Sequence, residues 1–381
     1  MKPKEAMGLR TWIEIDRQAL KNNYNSFRRL LKPTCLLMAV VKSNAYGHGL
    51  LDFANLVVKL GADWLGVDSA IEAESLRKAG FKSSILVLGY TLPEKIPSAA
   101  QNRIAITIAD FSALKAIKSL KSLARPLRIH LKIDTGMHRQ GFLVEEVPAL
   151  ITYLKKYNLP VIIEGLYTHF SSAKDPSSLR ETKRQIKEFK KVILLFEEAG
   201  FNIPLKHAAA TGGTMIFPES HFNMVRVGIG LYGLWPSQET QKSLSKKIKL
   251  KPVLSWKSVV AQIKDLPKGG RTGYDLTEKL SPGSKIAVLP VGYWHGLPRA
   301  LSSVGRVLIN GQEAKIVGRV SMSMICFDIT KIKNVSVGDQ VVLIGKSGRL
   351  SISAQDLADL NKTINYEIVT RLNPLIKRVV V

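Results

Sequence analysis

Eight short apolar runs alternate with stretches of helical periodicity between residues 36 and 235. The runs are "LLMAVVK", "WLGVDS", "SILVLGY", "IAITIAD", "RIHLKID", "VIIEGLYTHF", "LKHAAA" and "MVRVGIGLYG". Apolar strands that alternate with helices are typical of a parallel sheet that is buried on both faces. Eight such units predict an α/β fold in which a closed (β/α)8 barrel of the TIM type is favoured over an open sheet.

One of the predicted barrel helices has both of its ends marked in the sequence. In "DSAIEAESLRKAG", Ser69 is the predicted N-cap and Glu72, three residues later, is its expected capping-box partner. Gly80 is the predicted stop at the carboxyl end, where glycine adopts a left-handed conformation without strain. These signals place a helix directly after the second predicted strand.

The pattern changes after the polar segment at residues 236–247. Strand-like runs now follow one another with turn signals and little helix, and Asn310-Gly311 between β-rich flanks predicts a type I′ hairpin. We therefore predict a barrel at residues 11–240 and a C-terminal, mainly β domain at residues 241–381. The strand-like run "RTWIEID" leaves open whether residues 1–15 join the second domain.

Basic residues outnumber acidic ones, 56 against 30, which gives a net charge of +26 and a pI of about 10. The lysines are spread over most predicted helices instead of forming one stripe, so a generally basic protein is favoured over a nucleic-acid-binding one. Without a signal peptide or an apolar run of ~18 residues, we expect a soluble, cytoplasmic protein with no membrane partner. Cys35 and Cys326 are far apart, which predicts neither a disulfide framework nor a metal site.

Cationic side chains and histidines follow most of the predicted barrel strands. Side chains at the carboxyl ends of barrel strands meet at one face, so two lysines, two arginines and two histidines would converge there against few acids. This predicts an anionic occupant with a phosphate and a carboxylate. A lysine close to other cations has its amine form favoured, which suits covalent chemistry with a carbonyl, so we interpret Lys42 as reactive. The strand-end residues are Lys42, Lys132, Asp134, Arg139, His169, His207, Thr211, Arg226 and Gly228.

A glycine-rich segment, "GIGLYG" at residues 228–233, matches the dinucleotide-binding pattern G-x-G-x-x-G. It follows the eighth predicted strand rather than the first, and no strand with an acidic residue follows about 20 positions later, as that motif requires. Nicotinamide binding is therefore disfavoured. Glycines at this point of a barrel do suit backbone contacts to a phosphate group.

Eight segments occur in the order found in alanine racemases, which are fold-type III pyridoxal-phosphate (PLP) enzymes. The chain resembles this family over nearly its whole length, and eight motifs in order are far more specific than any one of them. The segments are "AVVKSNAYGHG", "LKIDTGMHRQGF", "GLYTHF", "VRVGIGLYG", "RTGYD", "PVGY", "GRVSM" and "NYEIVTRL".

The resemblance implies a cofactor site built around a covalently bound PLP. It implies that Lys42 attaches the cofactor and acts as one catalytic base, and that Tyr274 of the partner subunit is the opposing base in a homodimer. Arg226 is implied to hydrogen-bond the pyridine nitrogen, with His169 between Tyr274 and Arg226. The positions implied to lie around the phosphate are Tyr46, Thr211, Gly228, Ile229 and Tyr366.

The resemblance also implies the substrate side of the site and the reaction. Arg139, Met322 and Tyr293 correspond to positions near the substrate, and Lys132 to a lysine that is often carbamylated and holds the arginine. The implied reaction interconverts L-alanine and D-alanine and supplies D-alanine to peptidoglycan. Racemisation needs one base on each face, because a single base tends to return the proton to the side it came from.

Other readings of the same residues stay open. A PLP-dependent decarboxylase would carry an acid in place of Arg226, a PLP-carrier protein would lack the second domain, and a basic binding protein would have no use for Lys42 with Tyr274. Some positions depart from the family where entrance acids or the G-Y-A-D-G segment are common. These departures, which leave serine or a basic amino acid as further substrates, are Lys174, Trp294, His295 and Ser323.

Overall fold

The computed structural model describes residues 4–120, 122–175 and 179–381, so residues 1–3 of the N-terminal segment lie outside it. The chain forms two compact units. One, the barrel unit, consists of Ala19–Ala45 and Leu50–Lys251. The other, the β unit, consists of the described residues up to Gln18 together with Tyr46–Gly49 and Pro252–Val381.

Eight parallel strands form a closed ring in the barrel unit. They are β2 (Leu36–Val40), β3 (Trp64–Val67), β4 (Ser84–Val87), β5 (Ala105–Ile108), β6 (Leu127–Asp134), β8 (Val161–Tyr167), β9 (Leu205–His207) and β10 (Met224–Val227), and a short β7 (Phe142–Leu143) pairs with β6 outside the ring. The ring closes where β10 pairs with β2, with Val225 opposite Leu37. All eight predicted runs are confirmed as the strands of this barrel.

Helices separate the strands of the ring and cover its outer face. The α-helical segments up to residue 251 are α1 (Arg17–Arg28), α3 (Leu50–Lys59), α4 (Ala70–Lys78), α5 (Ile96–Gln101), α6 (Phe111–Lys118), α7 (Val147–Lys156), α8 (Leu179–Glu198), α9 (Thr211–Ile216) and α10 (Gln238–Leu244), and the short segment α2 (Lys42–Tyr46) is a left-handed turn. Buried apolar side chains from five strands pack together as one cluster of the core. They are Met38, Trp64, Leu86, Ala105 and Met224.

The ends of α4 agree only in part with the sequence signals. Ser69 caps the helix by accepting a hydrogen bond from the Glu72 N–H at 3.3 Å, and Gly80 follows the helix with a φ of +87°. The expectation that the Ser69 N–H donates to the Glu72 carboxylate, which would complete the capping box, is wrong. That carboxylate instead accepts from the N–H groups of Asp68 and Asn44, because the turn after β2 offers it a further donor.

The β unit is built on a sheet of ten strands. Its strands and the paired ribbon β13–β14 are β1 (Thr11–Ile15), β11 (Leu254–Val259), β12 (Gln262–Leu266), β13 (Gly270–Thr272), β14 (Glu278–Leu280), β15 (Ser284–Leu289), β16 (Arg306–Ile309), β17 (Gln312–Val317), β18 (Ile325–Asp328), β19 (Gln340–Ser347), β20 (Leu350–Ile352) and β21 (Arg378–Val380). β1 lies between β11 and β21. Asn310 and Gly311 join β16 to β17 with positive φ angles of 50° and 73°, which confirms the predicted hairpin.

Two helices, α11 (Ala354–Leu360) and α12 (Asn365–Thr370), complete the β unit. Over the residues that the structure describes, no helix is long and apolar enough to cross a membrane. The same residues contain no group of three or more His, Cys, Asp or Glu side chains that could hold a metal ion.

Candidate active site

Lys42 begins a left-handed turn directly after the first barrel strand. Ser43 (φ 56°, ψ 53°), Asn44 (φ 54°, ψ 44°) and Ala45 (φ 51°, ψ 53°) all have left-handed backbone angles, and Tyr46 continues them with a φ of 50°. This conformation costs roughly 1–2 kcal/mol for each L-residue. Strain of this kind is typical of functional sites, where surrounding contacts hold it in place. The turn therefore marks Lys42 as part of a candidate active site.

The Lys42 side chain has an acidic partner. Its Nζ lies 2.9 Å from Oδ1 of Asp68, the residue that follows β3. The sequence predicts a cationic mouth with few acids, and its pattern does not identify Asp68 as the acid beside Lys42. The reason is topological, because β2 and β3 are adjacent and parallel, so their carboxyl ends bring Lys42 and Asp68 together.

Arg226, on β10, is a buried cation that is held by uncharged acceptors. Only 3% of the residue is exposed. Its Nη1 lies 2.7 Å from Nδ1 of His207, and its Nη2 contacts the carbonyl oxygens of Thr168 (2.8 Å) and Ala208 (2.9 Å) and Nδ1 of His169 (3.3 Å). Burial lowers the pKa of Arg226 to about 10, so it remains charged at pH 7. None of the ion pairs formed by the described residues involves it.

A chain of two histidines continues from Arg226 into the barrel. Arginine can only donate, so His207 Nδ1 accepts and His207 Nε2 carries the proton. That nitrogen lies 2.9 Å from Nδ1 of His130, which must also accept. Burial, reinforced by the Arg226 charge, lowers the pKa of His130 to about 3 and the pKa of His207 well below its usual value. Both rings are therefore neutral with fixed tautomers, and the strand-end pattern did not predict this role for His207.

Lys132 lies on β6, and its ammonium is partly desolvated. It is 5% exposed, and its Nζ donates to Oε1 of Gln140 at 3.1 Å. Burial, followed by the charges of Arg139 and Arg226, lowers the pKa of Lys132 to about 8. The Arg139 backbone N–H donates to the Asp134 carboxylate at 3.0 Å, and this bond fixes the loop that presents the exposed Arg139 side chain.

Hydrogen bonds join the Thr211 hydroxyl to the glycines that follow β10. The Thr211 hydroxyl accepts hydrogen bonds from the backbone N–H groups of Gly228 (3.1 Å) and Gly230 (3.4 Å). Ile229, between these glycines, is buried. Because the hydroxyl oxygen accepts both bonds, the Thr211 O–H remains as a donor that suits a phosphate group.

In the β unit, Tyr46 and Tyr366 have ring centroids 6.1 Å apart. Burial, together with the neighbouring Tyr46, raises the pKa of Tyr366 above its usual value, so it remains a neutral hydroxyl. Tyr274 follows Gly273, whose φ is +81°, and is 70% exposed. The next residue, Asp275, pairs with Arg319 at 2.7 Å and fixes this loop.

The remaining predicted substrate residues lie together in the β unit. The N–H groups of Tyr293 and Trp294 donate to the carbonyl oxygens of Ser321 and Met322, both at 3.0 Å. The side chains of Tyr293, Trp294 and Met322 are exposed, whereas His295 is buried and accepts from the Gly292 N–H. These segments form one exposed apolar surface.

The closed barrel has a lysine, a buried arginine and neutral histidines at its strand ends, and a mainly β unit follows it along the chain. The family described as "Alanine racemase, N-terminal domain" matches residues 15–236, and "Alanine racemase, C-terminal domain" matches residues 253–380. The chain is therefore an amino-acid racemase, which is an isomerase, and it belongs to the alanine racemase family.

Individual relatives agree with this assignment over their full length. The chain is 40% identical over 376 residues to the alanine racemase of Leptospira interrogans, an alignment that covers 97% of this chain and 96% of the relative. It is 40% identical over 370 residues to that of Methanococcus maripaludis, with 97% and 98% covered. The crystal structure of alanine racemase from Bacillus anthracis with bound L-Ala-P has a TM-score of 0.92 at 34% identity and covers 98% of this chain and 95% of that one.

Proposed function

We propose that the chain racemises alanine with PLP as cofactor, through one base from each of two subunits. The bases are Lys42 and Tyr274 of the partner subunit. The observation that carries this proposal is that one face of the barrel holds both a lysine on a strained strand-end turn and Arg226, a buried cation held by neutral groups. We also propose that the barrel predicted at residues 11–240 acts as the PLP-binding domain and the β domain predicted at residues 241–381 as the second domain, with residues 11–15 in the second domain as strand β1.

The donor set of the chain fits PLP. Four acceptors contact Arg226, and a guanidinium has five N–H donors, so at least one donor is left for the ring nitrogen of the cofactor. The phosphate would be held by the Thr211 hydroxyl, by the N–H groups of Gly228 and Ile229, and by Tyr46 and Tyr366. PLP, when bound, stores the electron pair left behind when the α-proton of an amino acid departs.

Arg226 supports racemisation over decarboxylation. Its pKa of about 10 keeps it protonated at pH 7, so it donates a hydrogen bond to a ring nitrogen without transferring a proton to it. His207 and His169 both accept from Arg226 and are held neutral. The remaining proton of His169 is then on Nε2, which is available to hydrogen-bond the phenol of Tyr274 of the partner subunit. A decarboxylase of this fold would carry an acid at position 226.

The exposure of Tyr274 supports a homodimer. A base that is 70% exposed in one chain needs a desolvated setting for proton transfer, and a second copy would supply it. The β unit presents exposed apolar side chains on the segments that carry Tyr274 and Met322, and exposed apolar groups of this density mark contact surfaces. They are Tyr274, Leu276, Tyr293, Trp294, Met322 and Met324.

Lys132 is proposed to be carbamylated. Carbamylation requires the uncharged amine, and with a pKa of about 8 roughly a tenth of the side chain is an amine at pH 7. The amine nitrogen would bond to the carbon of CO2, one C–O π bond would open, and the displaced proton would pass to water. The resulting carbamate would face the guanidinium of Arg139 and orient it toward the substrate carboxylate.

Alanine is the proposed substrate, held by Arg139, Tyr293 and the Met322 N–H, and serine or a basic amino acid comes next. Tyr274 and Tyr366 are bulky and leave room for a small side chain. The alanine racemase names of the relatives and the L-Ala-P bound in the Bacillus anthracis enzyme support this choice. In a cytoplasmic setting the product would serve peptidoglycan synthesis.

The test is chiral separation of L-alanine after incubation with the purified chain and PLP, with serine, lysine and arginine in parallel. D-Alanine as the main product is the expected result. Lys42→Ala should abolish both covalent PLP attachment and racemisation, whereas Tyr274→Ala should keep attached PLP and lose about 100-fold or more in turnover. Release of CO2 in place of racemisation, or normal turnover by Tyr274→Ala, would contradict the proposal.

A further inference from the structure

A carboxylate that the mechanism above does not use lies beside the catalytic lysine. Asp68 Oδ1 is 2.9 Å from Lys42 Nζ, and the two side chains are 54% and 37% exposed. The backbone of Asp68 is held on both sides, because its N–H donates to Oε2 of Glu72 at 2.9 Å and its carbonyl accepts from the Gly89 N–H at 3.1 Å. Asp68 is therefore a fixed point against which a flexible lysine can be placed.

Glu72 connects this fixed point to the strained turn that carries Lys42. Its second carboxylate oxygen, Oε1, accepts from the Asn44 N–H at 3.1 Å. The Asn44 side chain in turn accepts from the Leu50 N–H at 2.9 Å. One carboxylate thus joins the end of β3 to the turn after β2, so the positions of Lys42 and Asp68 are set by the same group.

We propose that Asp68 is a positioning residue that receives the Lys42 ammonium and sets the pH range in which Lys42 reacts with the PLP aldehyde. This inference rests on the proposed PLP function. In the covalent step the amine nitrogen would form a C=N double bond with the aldehyde carbon, the C=O bond would break, and the oxygen would leave as water with the two protons of the amine. Only the amine can react, so a carboxylate that favours the ammonium moves attachment to higher pH.

The other charges around Lys42 act in the opposite direction. The cations Lys132, Arg139 and Arg226 lie in the same barrel mouth, and His169 there is held neutral, with Lys42 among the charges that lower its pKa. Asp68 is the carboxylate within ion-pair distance of Lys42 among the described residues. Its removal would leave Lys42 facing cations, and the uncharged amine would then be favoured at lower pH.

The experiment measures the rate of covalent attachment of saturating PLP to the cofactor-free, full-length chain between pH 6 and 10. The visible absorbance of bound PLP follows the rate, and borohydride reduction with peptide mass analysis verifies attachment at Lys42. Asp68→Asn, Asp68→Ser and Asp68→Glu are compared with the native chain. Asp52→Asn, on the exposed side of α3, controls for net charge, and titration of PLP itself affects all chains equally.

The pH at which the attachment rate is half-maximal should fall by about 0.3 to 0.7 pH unit in Asp68→Asn and Asp68→Ser. This is the shift expected when a half-exposed ion pair is lost. Asp68→Glu should restore the native midpoint, and Asp52→Asn should not move it. Equal midpoints for Asp68→Asn and Asp52→Asn would overturn the role of Asp68. Absence of any attachment at Lys42 in the native chain would instead overturn the proposed function.

Discussion

A single methyl group at Gly165 should break the histidine chain that holds Arg226. Gly165 lies on β8, and a Cβ built there would be 2.2 Å from Nδ1 and 2.5 Å from Cε1 of His130. His130 is fully buried, with the ring of Trp64 against one side at a centroid distance of 5.3 Å. Because the imidazole has no free space, Gly165→Ala must displace it from His207.

Two energetic costs add together in Gly165→Ala. Overpacking of a well-filled core costs about 1–3 kcal/mol. Loss of the His207–His130 hydrogen bond leaves the His207 N–H buried and unpaired, which costs about 1–3 kcal/mol more. We therefore expect Gly165→Ala to lower the free energy of unfolding by about 2–6 kcal/mol.

Gly213→Ala is the matched control in the same unit. Its Cβ would lie 3.3 Å from the Ala209 Cβ, a tight contact with a side chain rather than a collision, and Gly213 lies inside the helix α9. Alanine is favoured over glycine in a helix by about 0.5–1 kcal/mol. The two effects oppose each other, so this variant should be nearly neutral.

Calorimetry of the cofactor-free chain measures the difference between the two variants. For a unit of this size, about 2–4 °C of melting temperature corresponds to 1 kcal/mol, so Gly165→Ala should melt at least about 4 °C below Gly213→Ala. Nitrogen NMR of 15N-histidine-labelled chain should also show loss of the fixed His207 tautomer. Equal melting temperatures with an unchanged His207 signal would refute the inference that the histidine chain is tightly packed.

Three further predictions concern other parts of the chain. Gly47→Ala places a Cβ 1.9 Å from a backbone oxygen at a φ of +81° and should lower the free energy of unfolding by about 2–5 kcal/mol. Gly338→Ala, at a φ of +92° in open space, should lower it by about 1–2 kcal/mol. Equal melting temperatures of the two variants would contradict this prediction. Met324→Glu should weaken the proposed dimer about 100-fold, because it buries a charge, and light scattering that finds an intact dimer at low concentration would exclude Met324 from the interface. His130 has a pKa of about 3 in the folded chain, so between pH ~6.5 and 3 it binds a proton only when the chain is unfolded. The free energy of unfolding should therefore fall by about 1.4 kcal/mol per pH unit as the pH drops through this range. A melting temperature that is constant from pH 7 to 5 would argue against a neutral His130.

The barrel could be predicted because its strands are buried on both faces and therefore read as continuous apolar runs. The strand-end chemistry followed from the same pattern, since Lys42, Lys132 and Arg226 each come at or near the end of such a run. Both signals are local in sequence. They require only the strand boundaries and the rule that parallel strands of a barrel share one carboxyl face.

The contacts that could not be predicted join residues that are distant in sequence. Asp68 reads as a residue before a helix cap, and Glu72 reads as the capping-box partner of Ser69, yet both act on the turn after β2, about 26 residues earlier. The left-handed turn has only a weak sequence signal, because Asn44 tolerates that conformation but Ser43 and Ala45 do not favour it. It is held by a local bond from the Ala45 N–H to the Val41 carbonyl and by the tertiary contact of Glu72 with the Asn44 N–H.

The arrangement around Arg226 explains how a site with several ionisable groups can have a well-defined protonation state. Arg226 cannot lose its proton near neutral pH, so each ring that accepts from it must present a bare nitrogen, and His207 passes the same requirement on to His130. Its charge also helps lower the pKa of His169 and Lys132. One permanent cation thus fixes the tautomers of His207, His130 and His169 and helps lower the pKa of Lys132 to about 8, so Lys132 is a neighbour of Arg226 whose charge changes near neutral pH.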